Sequence, residues 1–247
     1  MKNQNTLIVL FILIIFGAVF MIKSNVHKRS LNIVTGSKPF SSDPLDYDAY
    51  VHHQTFTSVF GNLVSFNKKG EITPQIAESW SHDEELKKWI FKIRKNTYYS
   101  NGDLITAHDY EMSLKRVAFV KSIEKSQSGL LEHLVGYDKI TNLNELEGVF
   151  SQGNELHLNF NTPTPELLSK IAFGFYSLAH PSLYDNKTGV WKNKLKSISS
   201  GTYEVSRWDE NSFELSLRKN ISYVDYINAI DTISFKDLSV IKSRQIY

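Results

Sequence analysis

Cysteine is absent from the 247 residues, and its absence excludes disulfides, thiol nucleophiles, iron–sulfur clusters and cysteine-ligated zinc together. An excess of one charge is also missing. Lys and Arg number 28 against 26 Asp and Glu, and the signs become equal when Lys2 and Lys23, which flank the apolar N-terminus, are set aside. Such a surface lacks the electrostatic footprint of a nucleic-acid binder. There is no G-x-S-x-G, H-E-x-x-H, P-loop or G-x-G-x-x-G motif, so the common local signatures of hydrolases, zinc proteases and nucleotide enzymes are missing. No repeat or low-complexity segment occurs. What is present is ordinary for a globular chain: 41% hydrophobic and 22% charged residues, a balance that argues against disorder. The 13% aromatic content points to thick cores.

The strongest local signals lie in residues 74–117. Trp89, Phe91 and Ile93 alternate with Ile90, Lys92 and Arg94, the period of a strand with one buried face. Asn101 and Gly102 mark a tight turn. Thr106 is placed to cap a helix, with Asp109 three residues on, where the helix dipole favours negative charge. Ala107, Tyr110, Leu114, Val117 and Ala118 then share one helical face, with His108, Asp109, Glu111 and Lys115 mostly elsewhere. The succession of a PQIAESW turn, a strand ending in Ile-Arg, an aromatic pair before Asn-Gly, and a helix opened by LITAHD resembles family 5 of the extracytoplasmic solute-binding proteins, the substrate-binding components of peptide and nickel ABC importers.

The remaining chain reads in the same order. Residues 30–35 (SLNIVT) form a first strand, 36–48 a polar loop, and 51–62 a helix closing near Gly61. Residues 63–66 and 71–73 form a hairpin with Gly70 in its turn. Past Val120 a loop and a short helix are expected. A further hairpin is built from 135–141 and 146–160, a helix starts at Thr164 with Pro165 in its first position, and a strand ends at SLAHP, 177–181. SSGTYEV, 199–205, resembles the family's turn into a strand, followed by Trp208, an alternating strand through Phe213, Leu215 and Leu217, and a last strand at 230–236.

Residues 7–22 (LIVLFILIIFGAVFMI) are uncharged, long for a secretory apolar region and slightly short for a spanning helix of about 20 residues. No small-residue pair sits at cleavage spacing behind them. They are therefore read as an uncleaved signal anchor, with cleavage and secretion the alternative. Lys23, Lys28 and Arg29 follow the run, so the positive-inside rule places the body in the cytoplasm, whereas the family resemblance implies export. The extracytoplasmic face of the inner membrane is the reading adopted.

Histidines give the candidates for chemistry. His52 and His53 are adjacent on a helix and point about 100° apart, which is poor ligand geometry. His82, Asp83, Glu84 and Glu85 are explained by a polar turn between strands. His108 with Asp109 and Glu111 is the nearest approach to a catalytic cluster, but acids in a first helical turn are ordinary dipole partners. No catalytic, metal or cofactor site is assigned, and a hydrolase is the rival reading.

The resemblance implies a mixed α/β fold: a periplasmic-binding-protein-like type II lobe, a mixed sheet with an inserted α+β subdomain at about 49–180. The expected organisation is 1–29 anchor and basic linker, 30–236 first lobe and 237–247 tail, with the second lobe absent. It further implies a peptide or other small solute as ligand and an ABC permease in the inner membrane as partner. A separate chain supplying the second lobe is a further candidate partner; the chain is read as such a substrate-binding component or a truncated copy of one, with a membrane-anchored interaction module or degenerate lobe without transport activity as the alternative function. By the same resemblance, Gly36, Ser37, Lys38, Pro39 and Phe40, just after the first strand, are the candidates for ligand contact.

Overall fold

The computed structural model describes residues 29–35, 41–46, 50–124, 129–193, 196–209, 214–220, 222 and 229–237. The chain runs β1 (Ser30–Thr35), a 3-10 turn (Pro44–Asp46), α1 (Tyr50–Val59), β2 (Val64–Phe66), β3 (Ile72–Pro74), β4 (Ala77–His82), β5 (Lys88–Ile93) and α2 (Ala107–Glu124). After 3-10 turns at Leu131–His133 and Tyr137–Lys139 come β6 (Val149–Gln152), β7 (Glu155–Asn159) and α3 (Leu167–Ile171). Two more 3-10 turns, Gly174–Tyr176 and Pro181–Leu183, lead to β8 (Tyr203–Asp209), β9 (Glu214–Lys219) and β10 (Thr232–Asp237). One four-stranded sheet has the order β1-β10-β9-β8, with β1 parallel to β10; a second is antiparallel, β4-β5-β7-β6; β2 and β3 form a separate ribbon.

The antiparallel sheet and α2 make the larger core. β5 buries Trp89, Phe91 and Ile93, and its neighbour β7 places Leu158 opposite Trp89 and Leu156 opposite Phe91. Tyr110, Leu114, Val117 and Ala118 of α2 are buried in the same cluster, each large apolar side chain contributing about 1.5–3 kcal/mol. The helix is started as its sequence predicts. The Asp109 carboxylate accepts from the Thr106 N–H at 2.8 Å and hydroxyl at 2.9 Å, and the Asp109 N–H donates back to Thr106 Oγ1 at 3.2 Å, a reciprocal cap.

A second core joins α1 to the β1-β10-β9-β8 sheet through Phe56, Val59, Phe60, Tyr203, Leu217, Ile233 and Phe235. The two cores meet at residues 199–201. Ser199 donates to the carbonyls of Val59 and Tyr203. Ser200 Oγ donates to Leu178 O at 2.7 Å and accepts from the Gly61 N–H at 2.9 Å. Gly201 lies so close to α1 that an added Cβ would sit 2.7 Å from Ser58 O. The SSGTY turn is thus a backbone junction.

Several expectations are corrected. AESW is no turn but the first four residues of β4, with Trp80 opposite Phe91. Helix α2 runs on through Glu124, and Glu111 and Lys115, expected away from the buried face, are themselves buried because they pair with each other at 2.7 Å. Residues 135–141 give a 3-10 turn instead of a strand, since Gly136 takes φ +84° and reverses the chain. In the β6–β7 hairpin the strands continue to Gln152 and resume at Glu155, so the turn is Gly153 and Asn154 alone, where the sequence pattern predicts Ser151 to Asn154. Pro165 does not open a helix: the Thr164 N–H and hydroxyl both donate to Leu86 O, at 3.0 and 2.9 Å, and α3 starts at Leu167. Segment 177–181 is no strand, because its groups go to separate segments: the Leu178 N–H to Gly61 O and the Ala179 N–H to Ser113 Oγ.

Candidate functional site

Gly36, Ser37, Lys38, Pro39 and Phe40 lie outside the described residues, so the site they were expected to form is seen through the segments that frame it. On one side β1 brings the chain to Thr35. On the other, residues 41–46 are held tightly. The Asp43 N–H donates to Ser41 Oγ at 3.1 Å, and the Leu45 N–H to Asp43 Oδ1 at 3.0 Å. Both Asp43 oxygens then accept from one guanidinium, Arg116 Nη1 at 2.9 Å and Nη2 at 2.6 Å.

Arg116 projects from α2 with its side chain only 3% exposed. Its Nε donates to Gly189 O at 2.7 Å, and its guanidinium lies 5.1 Å from the Tyr184 ring centroid and 5.0 Å from that of Trp191. The Trp191 indole donates to Ser42 Oγ at 3.0 Å, and Ser42 Oγ donates to Lys196 O at 2.7 Å. Burial pushes the Tyr184 hydroxyl up to about 12, despite the cation beside it. A planar, permanently charged fork meets a carboxylate and a carbonyl at once, which is the work arginine does and lysine does not. Arg116 and Trp191 escaped the sequence reading; the available signal was a cation between Leu114 and Val117 on the buried side of an amphipathic helix.

Beside this anchor is a cavity of about 320 Å³. Leu45 and Asp46 line it from the first 3-10 turn, Val120, Ile123 and Glu124 from the end of α2, and Val190 from the 188–191 turn. A second cavity, about 360 Å³, lies at the start of α2 between Arg94, Lys95, Leu104, Ile105 and Gly153.

The structure disperses the histidine candidates. His108 is exposed and reaches Glu111 Oε2 at 3.2 Å. Glu111 also accepts from Lys115 Nζ at 2.7 Å and from the Ser151 N–H and hydroxyl at 3.0 and 2.6 Å. Burial alone would raise the Glu111 pKa, but these donors outweigh it and hold the carboxyl below its usual range. The cluster therefore ties α2 to β6. Asp83 Oδ1 accepts the N–H groups of Lys87 and Lys88 at 2.8 and 3.0 Å, the polar turn expected there, and the His82 ring packs 4.7 Å from that of Trp89. The side chains of His52 and His53 fall outside the described set. Among the described residues, no three His, Asp or Glu side chains are grouped to hold a metal.

Comparison with known proteins places this architecture. The profile of the bacterial extracellular solute-binding proteins, family 5 Middle, matches residues 71–242, and the chain belongs to that family. It is 25% identical over 208 residues to the periplasmic oligopeptide-binding protein OppA of Salmonella typhimurium, covering 80% of this chain and 37% of the relative. It is 26% identical over 209 residues to the oligopeptide-binding protein OppA of Bacillus subtilis, covering 82% and 38%. Among solved structures, OppA of Burkholderia pseudomallei superposes with a TM-score of 0.75 at 19% identity, over 90% of this chain and 45% of the other. The murein tripeptide binding protein MppA of Escherichia coli gives 0.73 at 21% identity, over 90% and 45%. The fold is thus that of a periplasmic-binding-protein type II lobe, and the chain spans less than half the length of these relatives.

Proposed function

We propose that the chain is the first lobe of a peptide-capturing receptor serving an ABC importer, acting outside the inner membrane by non-covalent binding and without chemistry of its own. The observation that carries this reading is the family 5 match over residues 71–242 together with a fold shared over 90% of the chain with oligopeptide-binding proteins. Gly36, Ser37, Lys38, Pro39 and Phe40 are proposed to contact the ligand backbone, since the described residues on either side are fixed by β1 and by the Arg116 anchor. Residues 7–22 are proposed to hold the lobe at the membrane, with the permease as its partner. Incubating the full chain with a defined mixture of tri- to pentapeptides and identifying the retained species by mass spectrometry tests the reading. Retention of peptides is expected; recovery of none at millimolar concentration overturns it.

A second reading, completion of the lobe by further polypeptide along an open sheet edge, is supported by the position of β1. Among the described residues β1 is an edge strand paired only to β10, and Leu31 and Val34 are 41% and 50% exposed. Parallel strands are normally covered on both faces, and an uncharged edge without proline is a template for pairing. Co-purification of a chain homologous to the remaining part of the relatives would support this reading, and recovery of the lobe alone from its native cells would count against it.

A further inference from the structure

From the tip of the β2–β3 ribbon we infer an interaction surface for an anionic membrane. Phe66, the last residue of β2, and Phe173, two positions after α3 ends, are each 45% exposed. Their rings meet edge-on with centroids 6.2 Å apart. Neither ring lines either of the two cavities described above, so the pair offers a surface contact and no pocket. Beyond Phe66 the turn is closed by its own hydrogen bonds. Asn67 Oδ1 accepts the N–H groups of Lys69 and Glu71 at 2.8 and 3.0 Å, the Gly70 N–H donates to Asn67 O at 3.0 Å, and the Asn67 amide donates to the Glu71 carboxylate at 2.8 Å. That frame leaves Lys68 and Lys69 exposed at the tip, and neither has an ion-pair partner among the described residues.

Bare aromatic surface and unpaired positive charge therefore share one tip, and together they select the occupant. Glu71 opposes one of the two lysines, so the turn keeps a net positive charge; on α3 and the residue before it, Lys170 and Glu166 cancel each other at 3.0 Å. A wholly apolar partner would strip water from the ammonium groups with nothing in return. A free inorganic anion would leave the rings uncovered. Lysine is a mobile point charge without the planar fork that fits a single carboxylate, and it suits a field of phosphates better than one placed acid. A bilayer of anionic lipids meets both needs: aromatic rings partition to the membrane–water boundary, while lysines on flexible stems stay among the headgroups. The inference rests on the reading that residues 7–22 hold the lobe at a membrane. Such a tether raises the effective concentration of the tip at the bilayer, so a weak contact suffices.

The test replaces Phe173 of the full chain by photoreactive benzoylphenylalanine and, in a parallel sample, Val190, an apolar residue 63% exposed beside the Arg116 anchor. Each protein is mixed with vesicles of phosphatidylcholine alone or of phosphatidylcholine and phosphatidylglycerol in equal parts, sedimented, irradiated, and analysed for adducts by mass spectrometry. Lipid adducts at position 173 are expected to be about fivefold more abundant with the anionic vesicles, the effect of one net positive charge near such a surface. The Lys68→Gln, Lys69→Gln double variant should return them to the zwitterionic level or below, with position 190 at the same background throughout. Equal labelling in the two lipids, labelling at 173 no greater than at 190, or labelling that survives the double variant overturns the surface. Protein adducts in place of lipid do so too, and would assign the aromatic pair to a second copy of the chain. A chain that sediments with both vesicles but labels no lipid through position 173 keeps its membrane attachment and loses this surface; one that sediments only with anionic vesicles, and labels there, does the reverse. Sedimentation with neither overturns both.

Discussion

At the scale of the residue, the Arg116–Asp43 pair decides most. Two charges taken from water cost several kcal/mol each, a cost offset only when geometry is good and the remaining donors are used; here both carboxylate oxygens and the Gly189 carbonyl are engaged. Removing one partner strands the other. Arg116→Met is expected to destabilise the chain by about 3–5 kcal/mol, read as a fall in the urea midpoint at unchanged slope. Arg116→Met with Asp43→Leu should cost far less than the two single changes together, and additivity of the singles would show that the ion pair does not act as a unit. Glu111 gives a pH-dependent counterpart. Its folded pKa is depressed, so its contribution is fully present above the unfolded value of about 4.3 and is lost as pH falls through the folded value. Glu111→Gln should therefore lower stability most above about pH 5, the two curves converging as pH falls below about 4. A difference independent of pH would place the effect in packing.

At the scale of the element, alternation and capping were legible and the routing of irregular segments was not. β1, the β5 burial pattern, the Gly70 and Gly102 turns and the Thr106–Asp109 cap follow from local rules, and each is present. Segment 177–181 and Thr164 defeated the reading for a common reason: their backbone groups bond to distant partners, Gly61, Ser113 and Leu86, that no local pattern reveals. The Arg116 anchor was hidden likewise, because Asp43 and Arg116 are 73 positions apart. The 199–201 junction separates two kinds of glycine need. Gly201 is constrained by contact, its virtual Cβ meeting backbone of Ser58 and Val59 within 2.9 Å, whereas Gly70 has φ +79° and open space around it. Gly201→Ala should cost about 1–3 kcal/mol by overpacking, and Gly70→Asn, which tolerates the left-handed region, much less. Equal falls in thermal midpoint would mean that α1 yields and the junction is softer than its contacts indicate.

At the scale of the whole molecule, the two cores have unequal cover. The larger one is enclosed by the antiparallel sheet, α2 and the 3-10 turns, while the β1-β10-β9-β8 sheet carries its apolar cluster on the α1 side. Its other face bears Asn32, Ser216 and Ser234, with Arg218 bonded to Glu204 at 2.8 Å. Protection against amide exchange measures how far each ladder must open before water enters. Amides of β5 and β7, the two central strands of the antiparallel sheet, should exchange slowest. Those of β9 and β10, with strands on both sides, should follow. In β1 the outward-pointing amides have no ladder partner among the described residues, and should exchange orders of magnitude faster than the rest of the sheet. A polypeptide that completes the lobe along this edge would convert β1 from the least protected strand of its sheet to one resembling β10, and would leave β5 and β7 unchanged. Protection rising equally in both cores would instead indicate general stabilisation by binding elsewhere.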